Sequence, residues 1–170
     1  FRAVIAEDPP FHTMGDRIAE SPLLDYFREL HRLHLEDKPV AELTRSLAQV
    51  PVRSPDGTST QRLGDLRDLA SLRFAAACLK QVDHDVLEPI VAGRWLAGYD
   101  VQQVLSRLQC PVLLLQADAA AGGMLTDEDA ALAEQTAAEC YRERFPGVGH
   151  LIHWTDTAGM TRRTLAFLES

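Results

Sequence analysis

The sequence predicts an α/β domain whose parallel sheet is incomplete and carries a helical insertion. Three short segments predict strands, at residues 2–7, 111–116 and 140–145. Helical patterns follow the second and third strands, and strands that alternate with helices imply a parallel sheet. About 90 residues of helical pattern separate the first two strands, far more than the dozen or so that a simple crossover needs. The long stretch therefore indicates an insertion at a sheet edge.

The first predicted strand ends at a polar residue, Asp8. The first strand stops at Asp8, because Pro9 and Pro10 fix φ and lack the backbone donor that a strand needs. Residues 111–116 form a continuous apolar run, as expected for a parallel strand that is covered on both faces. The third strand leads into a turn at residues 146–150.

The residues between the first two strands predict several helices and one loop. Residues 51–60 are rich in turn formers and predict the loop. Apolar spacing and capping residues predict helices on both sides of it. These run from Asp16 to about Leu35, from Pro39 to about Val50, from Leu63 to Gln81, from a cap at Asp83 or Asp85 to near Gly93, and from Val101 to Leu108.

Two more helices are expected after the second and third strands. Thr126 is a good N-cap, and the acidic residues at 127–129 suit the positive end of a helix dipole, so a helix is predicted from there to about Glu139. The last helix covers residues 157–168.

Composition excludes several classes of function. The chain has 170 residues, enough for one domain with a core, and a formal net charge of −8, which argues against nucleic acid and anionic membranes. Cys78, Cys110 and Cys140 form neither a disulfide framework nor a C-x-x-C metal motif, so we expect a reducing, cytoplasmic environment. No apolar run reaches the roughly 18 residues of a membrane span. His31 and His34 could share a helix face as a metal pair, but no third ligand is evident, and no metal or cofactor is expected.

Four segments, at residues 4–10, 110–115, 147–150 and 157–168, resemble the last strands and the closing helix of the α/β-hydrolase family. The resemblance covers the whole chain but only the C-terminal half of the family's fold. It implies that residues 1–11 and 109–170 belong to the hydrolase core and that residues 12–108 form a helical cap (lid). Phe27, Tyr26, Trp95 and Tyr99 would give the cap an apolar pocket roof.

The family resemblance implies a nucleophile, an acid and a histidine that follow each other in that order along the chain. His150, directly after Gly149, matches the position of the family's catalytic histidine. His153 is a rival and more plausibly packs at the pocket edge. The chain has no G-x-S-x-G motif, so the nucleophile would lie upstream of Phe1, on an N-terminal half that also builds the oxyanion hole.

The acid has two candidates under this resemblance. Many members place it after the strand that follows the cap, where Asp118 stands two residues before the usual position and Ala120 occupies that position. A minority places it at the end of the strand that precedes the cap, and Asp8 matches that placement. Asp8 is favoured, with Asp118 as the alternative.

The expected function is that of an esterase- or lipase-like hydrolase acting on a small apolar ester or related acyl substrate. The alternative is a non-catalytic hydrolase-like remnant that binds a ligand or partner. The isolated chain of 170 residues should be inactive, because a histidine and an acid alone have no nucleophile to activate. Its open sheet edge would need either the missing N-terminal half or a homo-oligomer as a partner.

Overall fold

The computed structural model describes residues 1–15, 17–21, 23–54 and 57–170. The predicted helix start at Asp16 and the centre of the predicted loop, at Pro55 and Asp56, lie outside the described residues. In chain order the elements are β1 (Val4–Glu7), α1 (Leu23–Leu35), α2 (Val40–Ala48), β2 (Pro51–Arg53), β3 (Thr60–Arg62), α3 (Leu63–Leu66), α4 (Leu69–Leu79), α5 (His84–Val91), α6 (Val101–Ser106), β4 (Val112–Ala117), α7 (Asp127–Thr136), β5 (Cys140–Phe145), α8 (Ile152–Thr155) and α9 (Thr157–Glu169).

The chain divides into two compact units. One unit combines Phe1–Thr13 with Gly98–Ser170 and contains the parallel sheet, and the other comprises Met14–Ala97 and is mainly helical. The second segment of the sheet unit begins at Gly98, about one helix before residue 109. It includes α6, because Val101 and Leu105 of that helix pack into the core beside the sheet. No helix in the described ranges is long and apolar enough to cross a membrane.

The sheet of the first unit has the order β1-β4-β5, and both strand pairs are parallel. All six residues of the central strand β4 are buried, as its unbroken apolar run predicts. On one face Leu114 packs with α6 and with Ala130 and Ala133 of α7. On the other face Leu113 and Leu115 pack with Ile152 of α8 and with α9. The α/β fold class predicted from the sequence is thus present in this unit.

The helical unit has its own core. Side chains from α1, α2, α4 and α5 bury one another, and those that are nearly inaccessible include Leu33, Leu43, Leu47 and Leu72. The helices predicted over 39–50 and 83–93 are present, with ends shifted by a few residues. The helix predicted from Asp16 to Leu35 is α-helical only from Leu23, after a separate turn of 3-10 helix at Ile18–Glu20. The predicted cap at Asp83 is confirmed, since its side chain accepts a hydrogen bond from the backbone of Asp85.

Two further local predictions are wrong, and one short helix was not predicted. The ends of the predicted loop pair as an antiparallel hairpin of β2 and β3, because residues that flank a turn can satisfy their backbone groups across it. The predicted helix over 63–81 is broken where Arg67 is extended and Asp68 caps α4 by accepting from the Ser71 N–H. The short helix α8 has no apolar repeat that would predict it, and Asp156 ends it by capping α9.

The helix after β4 begins as predicted. Thr126 accepts a hydrogen bond from the Asp129 N–H and so caps α7. The helix ends at Thr136 rather than at Glu139, because Ala137 is extended and leads into β5. Its start matters for the site below, because the loop between β4 and α7 wraps around Asp8.

Candidate active site

Asp8 follows the last residue of β1 and is completely buried. Its backbone N–H still donates to the Leu115 carbonyl of β4, at 2.7 Å, so it continues the sheet by one residue. Its φ is then +42°, in the left-handed region that aspartate and asparagine tolerate better than other residues with a side chain. The turn directs the carboxylate towards the loop that follows β4.

The Asp8 carboxylate is bound by three backbone N–H groups. Oδ1 accepts from Ala117 and from Leu125, both at 3.1 Å, and Oδ2 accepts from Met124 at 2.7 Å. Burial raises the pKa of the Asp8 carboxyl, but the hydrogen bond with His150 and the three backbone hydrogen bonds lower it more strongly. The net pKa lies below its ordinary value, so Asp8 is a fixed, ionised carboxylate.

The ring of His150 is oriented by this carboxylate. Its Nδ1 lies 2.8 Å from Asp8 Oδ2. An ionised carboxylate can only accept, so Nδ1 carries the proton and the neutral ring keeps its lone pair on Nε2. Among the residues that the structure describes, Asp8 is the hydrogen-bond partner of this ring, and the side chain remains 36% exposed. Nε2 is therefore the nitrogen that can act as a base.

The turn before His150 is tied to the loop after β4. The Asp118 N–H donates to the Val148 carbonyl, and Asp118 Oδ2 accepts from the Gly147 N–H, both at 2.8 Å. A Cβ on Gly149 would lie 2.6 Å from the Ala121 carbonyl oxygen, so only glycine lets the two loops approach this closely. These contacts place the His150 ring beside Asp8.

Asp118, the alternative acid, has a different position. Its Oδ1 accepts from the Ala120 N–H at 2.9 Å and its Oδ2 from Gly147. These two backbone hydrogen bonds, Gly147 first, lower the pKa of the Asp118 carboxyl. The structure brings Asp8 into contact with His150, and it places Asp118 as a brace between two loops.

His153, the rival histidine, forms a second carboxylate–histidine pair. Glu7 Oε1 accepts from the His153 backbone N–H at 2.9 Å and lies 2.7 Å from ring Nδ1. The exposed Trp154 ring packs edge-on against His153 at 5.2 Å. Glu7 and Asp8, consecutive in sequence, thus hold two histidines that are three residues apart.

Two kinds of contact in this site, backbone donors and one buried side chain, were not identified from the sequence. The backbone donors at Met124 and Leu125 have no sequence signal, because any residue type supplies an N–H. Gln116 does have one: it is the only polar residue of β4, and its side chain contacts the same loop. A glutamine inside an apolar strand could have been recognised as a bracing residue.

A further histidine pair and a cavity complete this end of the sheet. His12 Nδ1 lies 2.6 Å from Oδ1 of the buried Asp129. A cavity of about 340 Å³ is lined by residues that include Asp118, Thr126 and Arg144. Neither Asp8 nor His150 lines it. Within the described ranges no group of three or more histidine, cysteine, aspartate or glutamate residues could hold a metal ion.

Comparison with known proteins identifies the fold. No protein-family model matches the chain, and no curated protein matches it significantly. Solved structures do resemble it. An N-formylmaleamic acid deformylase from Pseudomonas putida S16 gives a TM-score of 0.57 at 15% identity, over 95% of this chain and 56% of that one. The esterase EaEST from Exiguobacterium antarcticum gives a TM-score of 0.55 at 13% identity, over 99% of this chain and 57% of that one.

MenH from S. aureus gives a TM-score of 0.53 at 14% identity, over 99% of this chain and 59% of its own length. The chain thus spans a little more than half the length of the solved structures that it matches. These structures share the α/β-hydrolase fold, and this chain has that fold over the part that it covers. At such low identity the likeness concerns the fold alone.

Proposed function

Because the chain has part of the α/β-hydrolase fold, we propose that Asp8 and His150 form the acid–base pair of a hydrolase acting on a small apolar ester or related acyl substrate. The observation that carries the proposal is the 2.8 Å contact between the His150 ring and a buried carboxylate. Asp8 fixes the tautomer of the ring and stabilises the imidazolium that forms. His150 is then a general base whose free nitrogen is Nε2.

The reaction that this pair serves is nucleophilic acyl transfer. His150 Nε2 takes the proton of a hydroxyl or thiol as that group attacks the acyl carbon, and the leaving group then receives the proton. No residue in the described ranges places a hydroxyl or thiol in hydrogen bond with the His150 ring. The proposal therefore assigns the nucleophile to protein residues other than these 170. Residues 12–108, which include the helical unit Met14–Ala97, are proposed as the cap.

The proposal is tested on the longest natural polypeptide that contains this chain. Hydrolysis of p-nitrophenyl butyrate is measured for the unchanged protein, for His150→Ala and for His153→Ala. Loss of a general base lowers kcat by about 100- to 10,000-fold, and we expect this for His150→Ala. His153→Ala removes the histidine of the neighbouring pair and should stay within a few-fold of the unchanged protein.

The other outcomes separate the alternatives. A large loss in His153→Ala with little change in His150→Ala would transfer the role of base to the second pair. A folded protein without turnover on short acyl esters, thioesters and lactones would contradict the hydrolase proposal. The non-catalytic binding module would then be the better description of this fold.

A further inference from the structure

Gln116 is a buried polar side chain that the proposed chemistry does not use directly. It lies in β4 between apolar residues, and it is 7% exposed. Burying an amide is unfavourable unless its hydrogen bonds are replaced. In this structure the hydrogen bonds of the Gln116 amide are replaced. Gln116 Nε2 donates to the Leu125 carbonyl at 2.9 Å and to Asp127 Oδ1 at 3.1 Å, and Gln116 Oε1 accepts from Arg142 Nε at 2.7 Å.

The contact with Leu125 connects Gln116 to Asp8. The Leu125 carbonyl accepts from Gln116, while the Leu125 N–H donates to Asp8 Oδ1. The Leu125 side chain is itself buried, and the preceding residue, Met124, donates its N–H to Asp8 Oδ2. Gln116 thus binds, through the Leu125 carbonyl, the segment that supplies two of the three backbone donors to Asp8.

Arg142 determines which way the Gln116 amide faces. A guanidinium only donates, so the amide oxygen must face Arg142, which leaves the NH₂ group to face the Leu125 carbonyl. Arg142 itself has a side chain that is only 11% exposed, and it is paired with Asp127. The orientation of the amide is therefore fixed by a charge-assisted contact.

We propose that Gln116, oriented by Arg142, is a positioning residue for the Asp8–His150 pair. It acts through Leu125 by keeping the backbone N–H groups of the β4–α7 loop on the Asp8 carboxylate. This inference rests on the proposed function for its effect on catalysis, but its geometric part can be tested without turnover.

The first test is NMR on the longest natural polypeptide that contains the chain, unchanged and as Gln116→Met. Methionine keeps the length of the side chain and removes both its donors and its acceptor. The unchanged protein should show a low-field Nδ1 proton of His150 and an Asp8 carboxyl that titrates below its ordinary range. In Gln116→Met we expect the low-field signal to be lost and the Asp8 titration to move up by about half a pH unit or more.

Two controls separate positioning from general destabilisation. Asp118 is an internal control, because its backbone donors come from Ala120 and Gly147 and its titration should not move. Thr44→Val is the matched variant: it also removes a buried side-chain hydrogen bond, to the Val40 carbonyl, but in the helical unit. It should leave the His150 proton in place.

The second test is kinetic. On p-nitrophenyl butyrate, Gln116→Met should lower kcat about tenfold with KM within about twofold, because a displaced base weakens the chemical step more than binding. If neither the unchanged protein nor Gln116→Met shows turnover but the NMR changes occur, the proposed function fails and the positioning role stands. A folded Gln116→Met with an unchanged His150 proton and Asp8 titration overturns the inference.

Arg142→Met provides the test if Gln116→Met does not fold. It leaves the Gln116 amide in place but removes the cation that orients it. A smaller upward shift of the Asp8 titration is expected, again with Asp118 unchanged. No shift in a folded Arg142→Met would overturn the inference.

Discussion

Two consecutive acids at the end of β1 bind two histidines from one short segment, and their surroundings differ sharply. Asp8 is fully buried and accepts three backbone N–H groups besides His150. The Glu7 side chain is 23% exposed and accepts one backbone N–H, that of His153, besides the ring. Both acid–ring contacts are short, at 2.8 and 2.7 Å.

Two pairs with nearly the same distance between acid and imidazole therefore differ in the burial of the acid and in the number of backbone donors that it accepts. Burial strengthens the field of a charge, and backbone donors keep Asp8 ionised despite burial. The Glu7 pair lies nearer to solvent, where ion pairs are screened and contribute little. The two histidines are similarly exposed, at 36% and 41%, so the pairs differ mainly in the surroundings of the acid. Substitutions at each acid can test the difference.

The largest expected effect is on stability when each acid is replaced by leucine. Asp8→Leu leaves three backbone N–H groups without an acceptor, and at about 1–3 kcal/mol for each buried group the loss in unfolding free energy should reach at least about 3 kcal/mol. Glu7→Leu leaves one such group, so its loss should be about a third as large. Urea unfolding of both variants gives the comparison. Equal losses in unfolding free energy would contradict the difference in burial and backbone donors between the two acids.

The next effect concerns the turn that carries His150. Gly149→Ala places a Cβ against the Ala121 carbonyl, so either loop must move, and we expect a loss of about 1–3 kcal/mol together with lower kcat. Gly147→Ala is the matched variant: its φ is +72° but its added Cβ has open space. Backbone strain alone should cost about 1–2 kcal/mol there, and kcat should fall less than in Gly149→Ala. Equal kcat in the two variants would contradict the role of the close approach.

The pH dependence of stability gives a third comparison. The pKa of Asp8 is lower in the folded chain than the value of about 3.9 expected when unfolded. Its ionised form therefore stabilises the fold above about pH 4, and this contribution disappears as the pH falls through the folded pKa. The gap in unfolding free energy between the unchanged protein and Asp8→Asn should narrow between pH 5 and about pH 3. A gap that stays constant over that range would contradict the ionised state of Asp8.

The smallest expected effect is that of Glu7→Gln. Glutamine keeps an oxygen that accepts from the His153 N–H, but it removes the charge and replaces the second acceptor oxygen by an NH₂ donor. For a partly exposed pair the change should stay below about 1 kcal/mol in unfolding free energy, with kcat within about twofold. Chemical denaturation and the ester assay measure both. A loss as large as that of Asp8→Asn would show that the second pair also has a structural or catalytic role.

Much of the sheet unit could be predicted from sequence because strong local signals define it. The apolar run at 111–116 and the prolines after Asp8 predict two strand ends, and parallel strands bring such ends together. Asp8, the acid favoured by the family resemblance, contacts His150, which lies 142 residues further along the chain. Their catalytic role stays a proposal.

What could not be predicted depends on backbone groups and on distant contacts. The donors from Met124 and Leu125 leave no mark on residue type, and the break at Arg67 results from a competing cap at Asp68. The pairing of β2 with β3 joins strands of three residues each, too short for a visible alternation. Backbone donors, a local cap and the pairing of two short strands thus decide these features, and none of them follows from the local apolar pattern.

The left-handed backbone at Asp8 limits how this protein can change over evolutionary time. Exchange of aspartate for glutamate is ordinarily among the mildest replacements, yet at a φ of +42° glutamate lacks the tolerance of aspartate and asparagine for this conformation. Its longer side chain would also overreach three donors that are spaced for aspartate. A lineage that lost this aspartate would therefore not regain the same contacts through glutamate at this position.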